Sequence, residues 1–200
     1  MPALSTHTLS STPDATANRL SIVTTSHPAR AEVERFITRI YRERYGAEVA
    51  RLAPVLVARR DAGGVLVAAA GFRPGESGAF FLERYLSRPA DDLLGAPRSQ
   101  IVEVGHLASD RAGEGRKLVL QLAPLLASHG FRWVVSTLTE ELRHLFLRLG
   151  IAPQALGVAS PALLGDEAAC WGSYYEHHPV VLAGAIEPAM QALSRRRSAE

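Results

Sequence analysis

Ser99-Gln-Ile-Val-Glu-Val-Gly-His-Leu-Ala-Ser-Asp-Arg-Ala-Gly-Glu-Gly-Arg116 is the stretch on which the fold turns. It reads as a strand, a glycine-containing turn and the start of a helix. In a regular strand Ile101, Glu103, Gly105 and Leu107 share one face, and Val102, Val104 and His106 the other. An acid between valines in a core strand must be paired, neutralised or turned toward a cavity. Glu103 therefore has two readings: an ion pair with an arginine such as Arg73, Arg84 or Arg98, or a general base for an amine or hydroxyl. His106 is the rival base, or a histidine that merely satisfies local hydrogen bonds. Gly105 between them permits a bulge that would open the sheet to an extended ligand. The turn into the helix presents unpaired N–H groups and a partial positive charge, which suit phosphate. Gly113 and Gly115 would let backbone approach closely, and Arg111 and Arg116 would add charge; a purely structural turn is the alternative.

Toward the N-terminus, Pro54–Arg60 and Val65–Phe72 read as strands joined by Asp61-Ala-Gly-Gly64, a hairpin signal. Before them, Val33, Phe36, Ile37, Ile40 and Tyr41 fall at helical spacing, opened by Ser26 and Pro28 and closed by Gly46. Leu20–Thr24 is a short first strand, and Phe80–Leu86 a short helix before Pro89. Toward the C-terminus, Gly115 to Gly130 carries Leu118, Val119, Leu122, Leu125 and Leu126 on one face; Pro124 within it predicts a bend. Phe131–Ser136 is the next strand. Thr137 with Glu140 matches a capping box for a helix through Leu149, ended by Gly150 and Pro153. Leu156–Ala159 and Val180–Ala183 are further strand candidates, on either side of Trp171-Gly-Ser-Tyr-Tyr175. The order is mixed α/β.

The totals narrow the function. With 22 Lys and Arg against 20 Asp and Glu, the formal net charge is +2, too small for a nucleic-acid footprint. Cys170 is the single cysteine, so neither an internal disulfide nor a thiolate metal site is available, and a buried thiol is expected. His177 and His178 are adjacent and poorly placed to share one ion, so no metal is expected. Residues 1–20 read as a flexible segment without the look of a signal peptide, and 191–200 as a flexible basic tail. No apolar run reaches the roughly 20 residues that span a bilayer. These features predict a cytoplasmic protein with one domain at 21–190 and no transmembrane segment.

Several spaced motifs together resemble a known family. Phe80-Phe-Leu-Glu-Arg-Tyr-Leu86, Ile101-Val-Glu-Val-Gly-His-Leu-Ala108, Trp133-Val-Val and Leu142-Arg-His-Leu-Phe-Leu-Arg-Leu-Gly150 look like the bacterial thermostable hemolysins. Tyr45-Gly-Ala47 and Trp171-Gly-Ser-Tyr-Tyr175 fit as well, and the likeness spans residues 21 to 188. That family is similar in fold to GNAT-type N-acyltransferases and acyl-homoserine-lactone synthases. The resemblance implies an α/β, GNAT-like acyl-CoA N-acyltransferase fold with a mixed central sheet flanked by helices. It implies acyl transfer from a thioester, on coenzyme A or an acyl carrier protein, to a small amine, with no covalently bound cofactor. Glu103 and His106 are then the catalytic candidates. Leu107, Ala108, Arg111, Gly113, Gly115 and Arg116 would hold the donor, and Phe81, Glu83, Arg84 and Tyr85 would wall the substrate. Three positions depart from the related enzymes: Asp110 opens the phosphate turn with an acid, Phe146 stands where many GNAT enzymes carry a tyrosine acid, and His106 replaces an arginine of the lactone synthases. The competing readings are a membrane-active hemolysin and a donor-binding module without chemistry.

Overall fold

The structure is a computed structural model that describes residues 20–197; the expected flexible segment at 1–20 lies almost wholly outside the described residues. Among the described residues seven strands form one sheet: β1 (Leu20–Val23), β2 (Val55–Arg60), β3 (Leu66–Pro74), β4 (Ile101–Ser109), β5 (Trp133–Leu138), β6 (Gln154–Val158) and β7 (Val180–Ala185). Their spatial order is β1-β2-β3-β4-β5-β7-β6. Only β4 and β5 pair in parallel; every other neighbour is antiparallel. The helices are α1 (Arg30–Tyr45), α2 (Ala90–Leu94), α3 (Glu114–Ser128), α4 (Glu140–Arg148) and α5 (Ile186–Arg197).

Both faces of the sheet centre are covered, which explains why Val55–Ala58 of β2 and Leu66–Phe72 of β3 are continuous apolar runs instead of alternating. Leu56, Ala58 and Ala69 meet Val33, Phe36 and Ile37 of α1 on one side. Val57, Ala68, Ala70 and Phe72 meet Leu118, Leu122 and Leu126 of α3 on the other. Leu56, Val57 and Leu118 are fully buried. Gly46 ends α1 in the left-handed conformation, its N–H returning to the Arg42 carbonyl.

The helix α3 is continuous from Glu114 to Ser128 with Pro124 inside it, where the ring removes one N–H donor. Three expectations need correction. Thr137 is not the cap of α4: β5 extends to Leu138 and Thr139 takes the cap position, without a side-chain cap bond. The tail expected to be flexible from residue 191 is helical through 197, as the end of α5. Cys170 is exposed. The segment 161–177, irregular in sequence, is a chain of 3-10 turns interrupted at Gly165 and Gly172. A Cβ on Gly172 would stand 2.0 Å from the Tyr45 carbonyl oxygen, so only glycine lets this segment lie against the end of α1.

Candidate active site

The site begins with an irregularity in β4. Opposite β3, Ala69 pairs with Ala108 and Gly71 with Gly105, so β4 carries one extra residue there. The bulge expected at Gly105 is present, but the left-handed residue is His106, with φ 54°. A non-glycine residue held this way costs roughly 1–2 kcal/mol. The extra residue reverses the strand's alternation. Val102, Val104 and Leu107 pack on the α3 side, while Ala108 faces the core under α1. His106, expected opposite Glu103, is thereby turned into the same cavity as Glu103. Gly71 makes the space: a Cβ there would lie 3.1 Å from His106 Nδ1 and 2.8 Å from Ala53 Cβ.

A second irregularity opens the sheet. The ladder between β4 and β5 stops at Glu103 and Val135, although both strands continue, to Ser109 and Leu138. Beyond that point Ser136 Oγ donates to the Val104 carbonyl at 2.7 Å, a side-chain bond in place of the next rung. His106 and Leu107 have no register partner in either neighbouring strand.

Three cavities converge on this opening. The largest, about 520 Å³, lies over the α1 end of the sheet and includes Glu103, His106, Arg73, Phe81, Tyr85, Trp171 and Tyr175 in its lining. A recess of about 60 Å³ occupies the splay, bounded by His106, Leu107, Ala108, Gly115 and Leu142. An almost wholly apolar pocket of about 70 Å³ continues between α3, α4 and α5, lined by Val104, Leu107, Leu122, Phe146 and Ile186 among others. Gly105 and His106 border the first two; Leu107 borders the second and third.

Glu103 is pinned. Its two oxygens accept the Phe81 and Leu82 N–H groups, each at 2.9 Å, and Arg73 Nε stands 3.8 Å away. Of the three arginines considered as its partner, Arg73 is the one in place; Arg84 pairs with Glu167, and Arg98 with Glu83 and Asp91. Burial pushes the Glu103 carboxyl above its ordinary value, against the pull of the two N–H groups and Arg73. His106 is enclosed at the foot of the chamber. Burial drives its imidazole down to about 4, and Arg73 and Arg30 push the same way, so it is neutral at physiological pH. Its Nδ1 is buried without a hydrogen-bond partner.

Among the wall residues, Phe81, Arg84 and Tyr85 border the chamber. Tyr85 and Tyr175 share a hydroxyl–hydroxyl bond of 2.6 Å. Glu83 does not belong to the wall: its carboxylate accepts from the Phe80 and Ala90 N–H groups and pairs with Arg98, fixing the turn behind the chamber. The proposed phosphate turn is only partly as expected. Gly113 caps α3, and Leu107, Ala108 and Gly115 border the recess. Arg111, however, is engaged by Asp61 at 2.7 Å, and Arg116 is exposed on the first turn of α3 without bordering any of the three cavities. Glu114 lies between Lys117, at 2.7 Å, and the buried Arg59; these cations hold it below the usual carboxylate range.

Arg51, Tyr41 and Tyr174 also line the chamber; the sequence had assigned none of them to the site, had named Arg73 only as a possible partner of Glu103, and had not singled out Gly71. The Trp171–Tyr175 motif was visible, but not its place as the chamber's roof. Phe146, the departure from a tyrosine acid, lines the apolar pocket. His177 packs on Tyr45, whereas His178 is a left-handed residue whose carbonyl accepts from Arg143.

A family model described as Thermostable hemolysin matches residues 23–190. No curated protein matches the chain in sequence. Among solved structures, TofI in an apo form is 18% identical, with a TM-score of 0.63 over 88% of this chain and 96% of its own. The CoA-dependent acyl-homoserine lactone synthase MesI is 18% identical, with a TM-score of 0.57 over 89% and 94%. FeeM, an N-acyl amino acid synthase from uncultured soil microbes, is 14% identical, with a TM-score of 0.56 over 86% and 98%. These likenesses establish the fold as that of the acyl-CoA N-acyltransferases.

Proposed function

The chain belongs to the thermostable hemolysin family, and from its three converging cavities we propose that it is an acyltransferase, moving an acyl group from a phosphopantetheine thioester to an amine. One observation carries the reading: His106 and Leu107, without a register partner in either neighbouring strand, together border every cavity that such a reaction needs. The pantetheine arm enters the splay and bonds to the backbone that β5 leaves unpaired. The acyl chain follows Leu107 and Phe146 into the apolar pocket. The amine waits in the large chamber. At about 70 Å³ the acyl pocket is half the size of a 150 Å³ cavity that holds benzene, so a short chain fits it best.

The chemistry is attack of the amine on the thioester carbonyl, expulsion of the thiolate, and loss of one proton from nitrogen, which passes through the base to sulfur and releases the thiol. The backbone of His106 and Leu107, which has no register partner in either neighbouring strand, suits the oxyanion. We assign the proton to His106, whose neutral ring lines the chamber, whereas both Glu103 oxygens already receive backbone N–H groups. Glu103 then acts as the tie between chamber wall and floor. MesI is named as CoA-dependent; for this chain an acyl carrier protein fits the same groove.

The family description favours a second reading, direct membrane lysis. No helix among the described residues is long and apolar enough to cross a membrane. An acylated amine is itself an amphiphile, so lysis through the product accounts for the description. The deciding experiment incubates the purified chain with a panel of short and long acyl thioesters and amines, and follows thiol release and acylated product by mass spectrometry. Product formation that is lost in His106→Asn supports the transferase. Leakage of vesicles with no thioester present would favour the lytic reading instead.

A further inference from the structure

The large chamber has a chemical polarity that the acyl-transfer reading alone does not use. One wall is aromatic: Phe81 and Trp171 lie 5.6 Å apart, Trp171 and Tyr174 5.4 Å, and Tyr174 and Tyr175 5.3 Å, between ring centroids. Phe81 also meets Tyr85 edge to face at 5.9 Å. These rings join the roof to the turn at 81–85, forming a surface suited to a large flat group.

Opposite this wall, on the sheet floor, stands Arg73. Its recorded contact is the 3.8 Å approach to Glu103, and the side chain is one-third exposed, into the chamber. Among the described residues no hydrogen bond of its guanidinium is found, so its paired N–H donors remain available to a planar anion. The register pairs Arg73 with Glu103 and Gly71 with Gly105. The guanidinium thus rises from the strand two residues, roughly 7 Å, before the point where donor and acceptor meet. A carboxylate held by Arg73 places a nitrogen on the adjacent carbon toward His106. An amine with no carboxylate leaves those N–H donors unused.

We infer that the acceptor is an α-amino acid with a large planar side chain, its carboxylate on Arg73, its amine toward Gly105–His106 and its side chain against the rings of Phe81 and Trp171. The inference rests on the acyl-transfer reading and names the substrate class of that same site. Aromatic amino acids and S-adenosylmethionine share this chemistry, and the experiment separates them.

Thermal shift and calorimetry on the full chain would compare L-tryptophan, L-tyrosine and S-adenosylmethionine with tryptamine, tyramine and L-alanine, and in parallel with acyl-coenzyme A. The expected result is binding of at least one planar amino acid, and binding at least tenfold weaker for its carboxylate-free amine and for alanine. Arg73→Gln should lose amino-acid binding tenfold or more while keeping the acyl-coenzyme A response; Arg73→Lys, which retains the charge but not the fork, should fall between them. Equal binding of tryptophan and tryptamine, or unchanged binding in a folded Arg73→Gln or Arg73→Lys variant, would overturn the assignment. If thioesters bind and none of the amino acids does, the acceptor class fails while acyl transfer stands; if no thioester binds either, the underlying reading fails.

Discussion

Replacing His106 with asparagine tests the site twice, through the pH dependence of stability, which reports the buried ring, and through the rate of acyl transfer, which reports its chemistry. His106 is enclosed, and its imidazole is depressed from an ordinary value of 6.5 to about 4, chiefly by burial. A histidine with a lowered folded-state value stabilises the fold least where the unfolded chain takes up the proton that the folded chain refuses. Its contribution is therefore intact above 6.5 and is lost as the pH falls toward about 4. Between about pH 7.5 and 5.5 the unfolded histidine becomes largely protonated while the buried one stays neutral, a loss of about 1.3 kcal/mol. Asparagine tolerates the left-handed backbone and does not titrate. Urea unfolding at the two pH values isolates the residue: the wild-type free energy should fall by about 1.3 kcal/mol more than that of His106→Asn. Every other group titrates in both proteins and cancels, apart from any coupled directly to the ring. Acyl transfer by the variant should fall by roughly 10²–10⁴ if the imidazole takes the proton. Identical pH slopes would refute the buried neutral imidazole, and an unchanged transfer rate would remove it from the chemistry.

Glu103→Gln leaves one of the Phe81 and Leu82 N–H groups facing an amide donor, and should cost about 1–3 kcal/mol in denaturant unfolding while sparing transfer more than His106→Asn does. Gly172→Ala, at φ 52° and against the Tyr45 carbonyl, should destabilise by at least about 2 kcal/mol and weaken acceptor binding, read by denaturation and calorimetry. Phe146→Ala should enlarge the apolar pocket and shift preference toward longer acyl thioesters, scored as the ratio of kcat/KM across chain lengths. Leu118→Ala, fully buried beneath the sheet, should cost about 2–5 kcal/mol with no change in substrate preference.

How far the sequence carried is clearest in β4 and its neighbours. The strand, the turn and α3 were legible because their signals are local: apolar alternation, paired glycines and a helical stripe. The likeness to the thermostable hemolysins also carried the family and the fold. The direction of His106 was not legible, because one extra residue in the strand reverses every side chain beyond it and no local pattern separates a regular strand from a bulged one. Gly71 held the missing signal. A glycine inside the apolar run of β3 marks close approach, and what approaches is His106, from a strand more than thirty residues away. Glu83 and Arg84 were grouped as wall residues because they adjoin Phe81 and Tyr85. Their fates diverged through Arg98 and Glu167, partners that sequence proximity does not reveal.

On the acyl-transfer reading, the turn before α3 would hold the donor's phosphate despite its acidic residues. Arg111 reaches back to Asp61, whose other oxygen accepts the Gly63 and Val65 N–H groups, so the ion pair fastens the loop to the β2–β3 hairpin. Glu114 is drawn to Arg59 and Lys117. Its charge is thereby largely met within the protein and does not face the recess beside Gly115 as an unpaired anion. What remains for a phosphate is the first turn itself, where the early N–H groups of a helix have no intrahelical acceptor. Gly115 borders the recess, and a Cβ there would come within 3.1 Å of Ser109 Oγ, so glycine keeps the approach to this turn open. Recognition by backbone rather than by an arginine cluster contributes less charge and more shape. Such a site suits the one phosphate that ends a pantetheine arm in either carrier, the first of the diphosphate in coenzyme A and the phosphodiester in an acyl carrier protein. Discrimination between the two carriers then falls to the surface outside the groove, not to the turn.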